Sequence, residues 1–345
     1  MKQISLSQTG FELASKRTRK RIFLEQMEHC TPWESLIALI APHAPSSSTG
    51  RPPFAVGTLL RIHFMQQWFG LSDPAMEEAL HDTPIYREFA GLDTGESRIP
   101  DETTILRFRR LIETHDLGKA MFATVNTKLA EAGFMLKTGT VVDATLIAAP
   151  SSTKNASGSR DPEMKQTKKG NNYYHGMKAH IGVDAASGLV HTVATTAANS
   201  HDVTQAHALL HGEEEQVYAD SGYRGVTKRE EIQVQENQPE WHIAMMPSKR
   251  KQLDKSTPLG LILDKLETAK AQIRAKVEHP FRVMKCQFGY RKTRYRGLVK
   301  NTVQICTLFA LSNLWMARHW LLLAQPTTNP ISSRRGQCAQ NVRSR

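Results

Sequence analysis

Three carboxylates stand apart from the other acids of this chain because of the residues around them. Asp143 interrupts the β-branched, apolar run TGTVVDATLIAAP, and Asp220 ends the short apolar run QVYAD just before a Ser-Gly turn. Glu278 is the single acid in AQIRAKVEHPFRVMKCQFGYRKTRYR, where Arg274, Lys276, Arg282, Lys285, Arg291, Lys292, Arg294 and Arg296 surround it. A carboxylate inside a buried strand is costly unless something compensates its charge, so Asp143 either projects to a partner or binds a cation. Cations this dense repel one another unless an anion lies between them, and nucleic acid is the usual one. Taken alone, each acid has a plainer reading. Asp143 could end a strand, Asp220 could form a turn, and Glu278 could pair with Arg274 or Arg282 on a solvated basic helix. Taken together on adjacent strands and a facing helix, they make an oxygen-only cluster. That donor set suits Mg²⁺ or Mn²⁺, and two such ions stabilise the attacking and leaving oxygens of a phosphodiester displacement.

The elements that must position these acids follow from periodicity and turn chemistry. The strand with Asp143 precedes MKAHIGVD and GLVHTVATT, two apolar runs joined by Ala-Ala-Ser-Gly, which predicts a hairpin. A helix is expected from Ser200 to Leu210, with Asp202 as its cap or as an acid behind the other three. The strand ending at Asp220, a helix over Thr227–Gln233, a strand over His242–Met246 and a long helix carrying Glu278 come next, the last with a kink favoured at His279-Pro280 because proline has no N–H to donate. Val303–Leu323 then reads as a buried helix; Gln304, Asn313, Arg318 and His319 interrupt it too often for a membrane span. This alternation predicts an α/β layer with helices packed on a central sheet. Pro150–Asn172 reads as a mobile basic loop.

Upstream, Phe54–Glu131 reads as all helical, with Pro100-Asp101 opening a helix whose apolar face is Ile105, Phe108 and Leu111. Such a unit could read DNA as a helix-turn-helix does, or could be a plain bundle used for assembly. Residues before about Pro53 read as an extended basic arm with one short helix, begun by the capping box Thr31-Pro32-Trp33-Glu34. The divisions expected are 1–53 (basic arm and linker), 54–135 (helical DNA-binding or assembly domain), 136–325 (catalytic domain) and 326–345 (disordered basic tail). The net charge of +12 over 345 residues favours an anionic partner, nucleic acid ahead of membrane. Cys30, Cys286, Cys306 and Cys338 have neither CxxC nor Cys/His ligand spacing, which argues against zinc or a disulfide framework and fits a reducing cytosol.

Blocks along most of the chain resemble bacterial insertion-sequence DDE transposases, specifically the IS-five group of the wider IS-four-like superfamily. They include GRPPFAVGTLLRIHFMQQWFGLSD, IPDETTILRFRR, VVDATLIAAP, MKAHIGVDAASG, ANSHDVT, YADSGYRG and RAKVEHPFRVMKCQFGYRKTRYRG. The resemblance implies an RNase H-like catalytic domain whose acidic triad falls on Asp143, Asp220 and Glu278, binding Mg²⁺, with Mn²⁺ as a substitute. It also implies cutting of element-end DNA by metal-activated water and joining of the freed 3′-hydroxyl to target DNA. The family's signature of Tyr, two residues, Arg, three residues, Glu, six residues, Lys is met by Arg274, Glu278 and Lys285, with Ala271 at the tyrosine position. Lys178, Arg274, Arg282, Lys285 and Arg294 are the candidate DNA contacts. The implied partners are double-stranded DNA and a second copy of the chain, with no membrane, in the bacterial cytoplasm near the nucleoid. Two rival readings share these residues: a transposase relic retained as a DNA-binding regulator, and a nuclease that cuts without joining.

Overall fold

Thr18 opens the first helix: its hydroxyl accepts from Arg21 N at 3.2 Å, and α1 (Arg19–Cys30) buries Leu24, Met27 and Cys30 along one stripe. The computed structural model describes residues 17–46, 51–92, 98–154 and 158–324. The tail expected over 326–345 and the first part of the basic arm lie outside the described residues. The described part of that arm is not extended. It holds two helices, α1 and α2 (Trp33–Ile40), because Leu24, Met27, Leu36 and Ile40 supply an apolar stripe that must be covered. The expected capping box does not form. Pro32 is the N-cap residue of α2, and buried Thr31 instead ends α1.

Helix α3 (Val56–Phe69) is enclosed along Leu60–Trp68 apart from Arg61, and it ends at Gly70 in the left-handed conformation (φ 70°). Around it pack α4 (Asp73–Asp82), α5 (Pro84–Ala90), α6 (Glu102–Thr114) and α7 (Leu117–Glu131). Asp101 caps α6 by accepting from Thr104 N at 2.8 Å, as its Pro-Asp start predicts.

The sheet is mixed. Its central strand β1 (Gly139–Ala148) is flanked by two strands of opposite sense. Antiparallel β3 (Asn172–Asp184) sets Asp143 opposite Ile181, and parallel β5 (Gln216–Ala219) sets Ala219 level with Val142. The short helix α8 (Glu230–Gln233) leads from β5 to β6 (Glu240–Ile243), which continues parallel beyond β5, and the short helix α9 (Pro247–Lys251) follows it. The far edge of β3 is shared end to end: β2 (Lys165–Lys169) pairs with Asn172–Gly176, and β4 (Val190–Ala197) pairs with Met177–Val183. The β3–β4 hairpin forms where expected, its turn held by buried Asp184, which accepts from Ser187 N at 2.7 Å and Lys137 N at 2.9 Å. The basic loop expected over 150–172 is in part a strand, β2, because pairing with β3 satisfies its backbone. A 3₁₀ helix covers Asp202–Leu209 in place of the expected α-helix.

One apolar core runs from Leu24 through Val141 and Met177 to Ala317, so the helical layer and one face of the sheet pack together. A smaller cluster, including Val142, Leu209, Ala219 and Tyr223, covers the opposite face. The closing helix, α12 (Leu298–Ala324), runs through the larger core, and among the described residues no helix is long and apolar enough to cross a membrane. Gly118 lets α7 lie directly against α12: a Cβ there would stand 2.4 Å from Val303 O. Gly118→Ala is therefore expected to lower unfolding stability by about 1–3 kcal/mol, since backbone must move to admit it. Urea denaturation of the variant beside wild type checks this.

Candidate active site

Side chains alternate along β1, so Val141, Asp143, Thr145 and Ile147 share the face turned to the larger core, while Val142 turns to the smaller one. Ala219, level with Val142 on β5, also faces the smaller cluster. The next residue, Asp220, therefore comes level with Asp143 on the same face. Glu278 reaches this face from a covering segment. Helix α10 (Pro258–Arg274) passes through a 3₁₀ turn (Ala275–Val277) into the short helix α11 (Glu278–Arg282), then a π turn (Val283–Gln287). The helix is broken ahead of Pro280, where the sequence favours a kink, because Pro280 has no N–H to donate to the preceding turn and the backbone tightens before it.

Asp143 senses the other two acids. Burial, and then the negative charges of Asp220 and Glu278, push the Asp143 carboxyl up to about 6, against the Ala144 N–H and the Arg274 charge. Asp143 Oδ1 accepts from Ala144 N at 2.7 Å, and Asp220 Oδ1 accepts from Gly222 N at 2.8 Å. Gly222 makes that second bond sterically possible, since a Cβ there would lie 2.9 Å from Asp220 Oδ1. Exposed Glu278 forms no hydrogen bond or ion pair among the described residues, so the helix ion pair is not made. Nor do three His, Cys, Asp or Glu side chains among the described residues converge closely enough to hold an ion as they stand. Carboxylates of like charge stay apart without a cation between them. Their chemistry still fits a hard divalent ion: all donors are oxygen, burial and two like charges hold the Asp143 carboxyl up, and Glu278 is unpaired among the described residues.

Residues 135–314 match the family of transposase DDE domains, and residues 11–111 match a second family described as a transposase domain, DUF772. The first match covers more than half of the chain. The chain belongs to the DDE transposase family. No solved structure matches it.

In this transposase the cations expected on DNA divide into two kinds. Lys285 lies over β1, donating to Thr145 Oγ1 at 2.6 Å and Leu146 O at 2.8 Å. Burial and then the neighbouring Lys169 lower its pKa, while the Glu278 charge opposes them. It therefore stands on the acid face. Arg274 contributes its charge to Asp143, and Arg282 is exposed on α11. Arg294 packs 5.9 Å from the Tyr290 ring centre and against Gly70. Lys178 belongs to the other kind. It pairs with Leu146 across β1–β3, hence on the face away from Asp143, and donates to Ser200 O at 2.7 Å and Asp202 Oδ1 at 2.9 Å. Its ammonium is half-buried and paired with the Asp202 carboxylate. Asp202 is correspondingly an ion-pair partner, with no cap bond at the 3₁₀ helix. Thr145 was not singled out by the sequence argument; lying two residues beyond Asp143 in a strand, it had the right face to be found. A cavity of about 600 Å³ between α1, α3 and α5 lies apart from the acids, its walls carrying the paired Arg21–Glu88 and Arg61–Glu28.

Proposed function

We propose that Asp143, Asp220 and Glu278 are the catalytic, metal-holding triad of an insertion-sequence transposase of the IS-five group, which cuts element-end DNA and joins the freed 3′-hydroxyl to target DNA. The observation that carries this is the level pairing of Asp143 and Asp220 on one sheet face, with the charge of an unpaired Glu278 acting on Asp143. When bound, Mg²⁺ or Mn²⁺ supplies Lewis acidity at phosphodiester oxygens and positive charge for the developing anion. The three carboxylates would hold it. Lys285, fixed over Thr145, sets a positive charge beside Glu278 for a backbone phosphate, and Arg274, Arg282 and Arg294 extend that charge along the strand. An RNase H-like domain is supported by the strand order, an antiparallel β1–β3–β4 followed by parallel β5 and β6. A helical DNA-binding or assembly unit over 54–135, packed on the sheet, a homodimer holding two element ends, and residence at the bacterial nucleoid complete the reading.

The test is incubation of the full chain with linear fragments carrying the element's ends, Mg²⁺ and a target plasmid. Joined product is expected from wild type, and none from Asp220→Asn or Glu278→Gln, with DNA binding retained in both. Full joining by either variant would remove that residue from the triad, and cutting without joining would leave a nuclease.

A further inference from the structure

We propose that the β2–β3 hairpin is a groove-entering arm that inserts into the major groove of duplex DNA beside the cleavage site, an inference that rests on the acids being a DNA-cutting centre. The hairpin is a free-standing ribbon. Strand β1 ends opposite Gly176, with one further bond from Ala149 N to His175 O, and β4 ends opposite Met177, so Asn172–Tyr174 has only β2 beside it in the sheet. Its two-residue turn, Gly170-Asn171, is tight, with Gly170 left-handed at φ 62°. Among the described residues it stays open to solvent: in β2 only Thr167 is even half-buried, and Tyr173 and Tyr174 are 65% and 36% exposed. A lone two-stranded ribbon is marginal in water. This one is anchored at its base, where buried Met164 lies beside Asp161 and Glu163. Those two carboxylates accept from Gly297 N at 2.6 Å and Leu298 N at 2.7 Å at the start of α12.

The chemistry of the ribbon selects its partner. From Lys165 to His175 it has three lysines and no acid. Cross-strand partners share a face, so Lys168 lies with Tyr173, its Nζ 5.6 Å from the ring centre. Tyr174 lies opposite Thr167, and by alternation shares its face with Lys165 and Lys169. Each face thus carries a tyrosine and positive charge. A ribbon lying flat against a phosphate surface needs cations on one face only. A ribbon between two phosphate walls needs them on both, and the major groove, about 12 Å wide, admits a two-stranded β-ribbon. Its position is also suitable. Lys169 is close enough to Lys285 to lower that residue's pKa. Tyr174 is seven residues along β3 from Ile181, the partner of Asp143. That is roughly 23 Å, or about seven base pairs, from the acids.

The test uses the full chain and fluorescence anisotropy with a mixed-sequence duplex and with one of its strands alone, titrated from about 50 to 200 mM KCl. Replacing Lys165, Lys168 and Lys169 together with glutamine is expected to make the salt dependence of duplex binding shallower by about 2.7 in log–log slope. Tyr173→Ser with Tyr174→Ser is expected to weaken duplex binding roughly tenfold while leaving that slope intact. Wild type should protect guanine N7, a major-groove atom, from methylation, and both variants should lose that protection. Unchanged duplex binding in the variants, or a loss confined to the single strand, would overturn the groove arm and leave the cutting centre standing. Absence of DNA binding by wild type would instead bring down the cutting centre and the arm with it.

Discussion

Asparagine in place of Asp143 is expected to reduce DNA cleavage by about a thousandfold or more while making the metal-free protein more stable at pH 8. The loss of activity follows from removing one carboxylate of the candidate triad, since the ion it would help hold is worth several kcal/mol in the transition state. The gain in stability follows from the same charge. With its carboxyl raised from the usual range near 4 to about 6, Asp143 is easier to ionise in the unfolded chain than in the fold. Its contribution to stability is therefore fully present below about pH 4 and is lost as pH rises through about 6, a change of up to about 3 kcal/mol. The substituted amide carries no charge to repel Asp220 and Glu278, and its side-chain oxygen can still accept from Ala144 N. Urea denaturation in EDTA should then show wild type losing stability from pH 4 to 7 and Asp143→Asn holding steadier. Added Mg²⁺ should restore wild type and leave the variant unmoved. Equal pH profiles for the two proteins would mean that burial and the neighbouring acids do not raise the Asp143 carboxyl.

Methionine in place of Arg109 is expected to destabilise the chain by about 3–5 kcal/mol, the usual cost of leaving buried charges without their partner. From α6, Arg109 reaches Asp73 and Glu113, each at 2.8 Å, and the three side chains are only 14%, 17% and 10% exposed. Its guanidinium also lies 4.4 Å from the centre of the Tyr295 ring. Tyr295 belongs to the stretch that carries Arg291, Lys292 and Arg294, so the variant should weaken DNA binding as well as the fold. Removing all three charges at once, with Arg109→Met, Asp73→Asn and Glu113→Gln, is expected to recover most of the lost stability, because no carboxylate is then left uncompensated. Denaturation midpoints of the single and triple variants check this. A single variant as stable as wild type would show that the arginine does not hold these two carboxylates in place.

Local chemistry made part of this legible in advance. Asp143 stood out because a carboxylate is costly in a β-branched apolar run, and Asp220 because an apolar run broke at Asp-Ser-Gly. The Ala-Ala-Ser-Gly turn and the Asp101 cap are likewise short-range effects, settled within a few residues. The N-terminal helices were harder. The start of α1 is masked by a run of cations, and its Leu24, Met27 and Cys30 stripe has meaning only once α12 and α3 stand ready to cover it. Strand β2 was read as loop for a similar reason: KQTKK has no apolar alternation, and only its partner strand makes it a strand.

By itself, then, the sequence determined which residues could do chemistry: three acids, their order, the family they resemble and the positive charge around the third. Those depend on residue type and short spacing, which the chain carries wherever it goes. What only the tertiary structure decided was which of them meet. Parallel register brought Asp220 level with Asp143, and packing laid the segment kinked at Pro280 so that Glu278 covers their face. The pleat turned Lys178 away to Asp202 while turning Thr145 towards Lys285. A strand side chain has two directions and a helix has its phase, and both are chosen by packing among residues far apart in the chain.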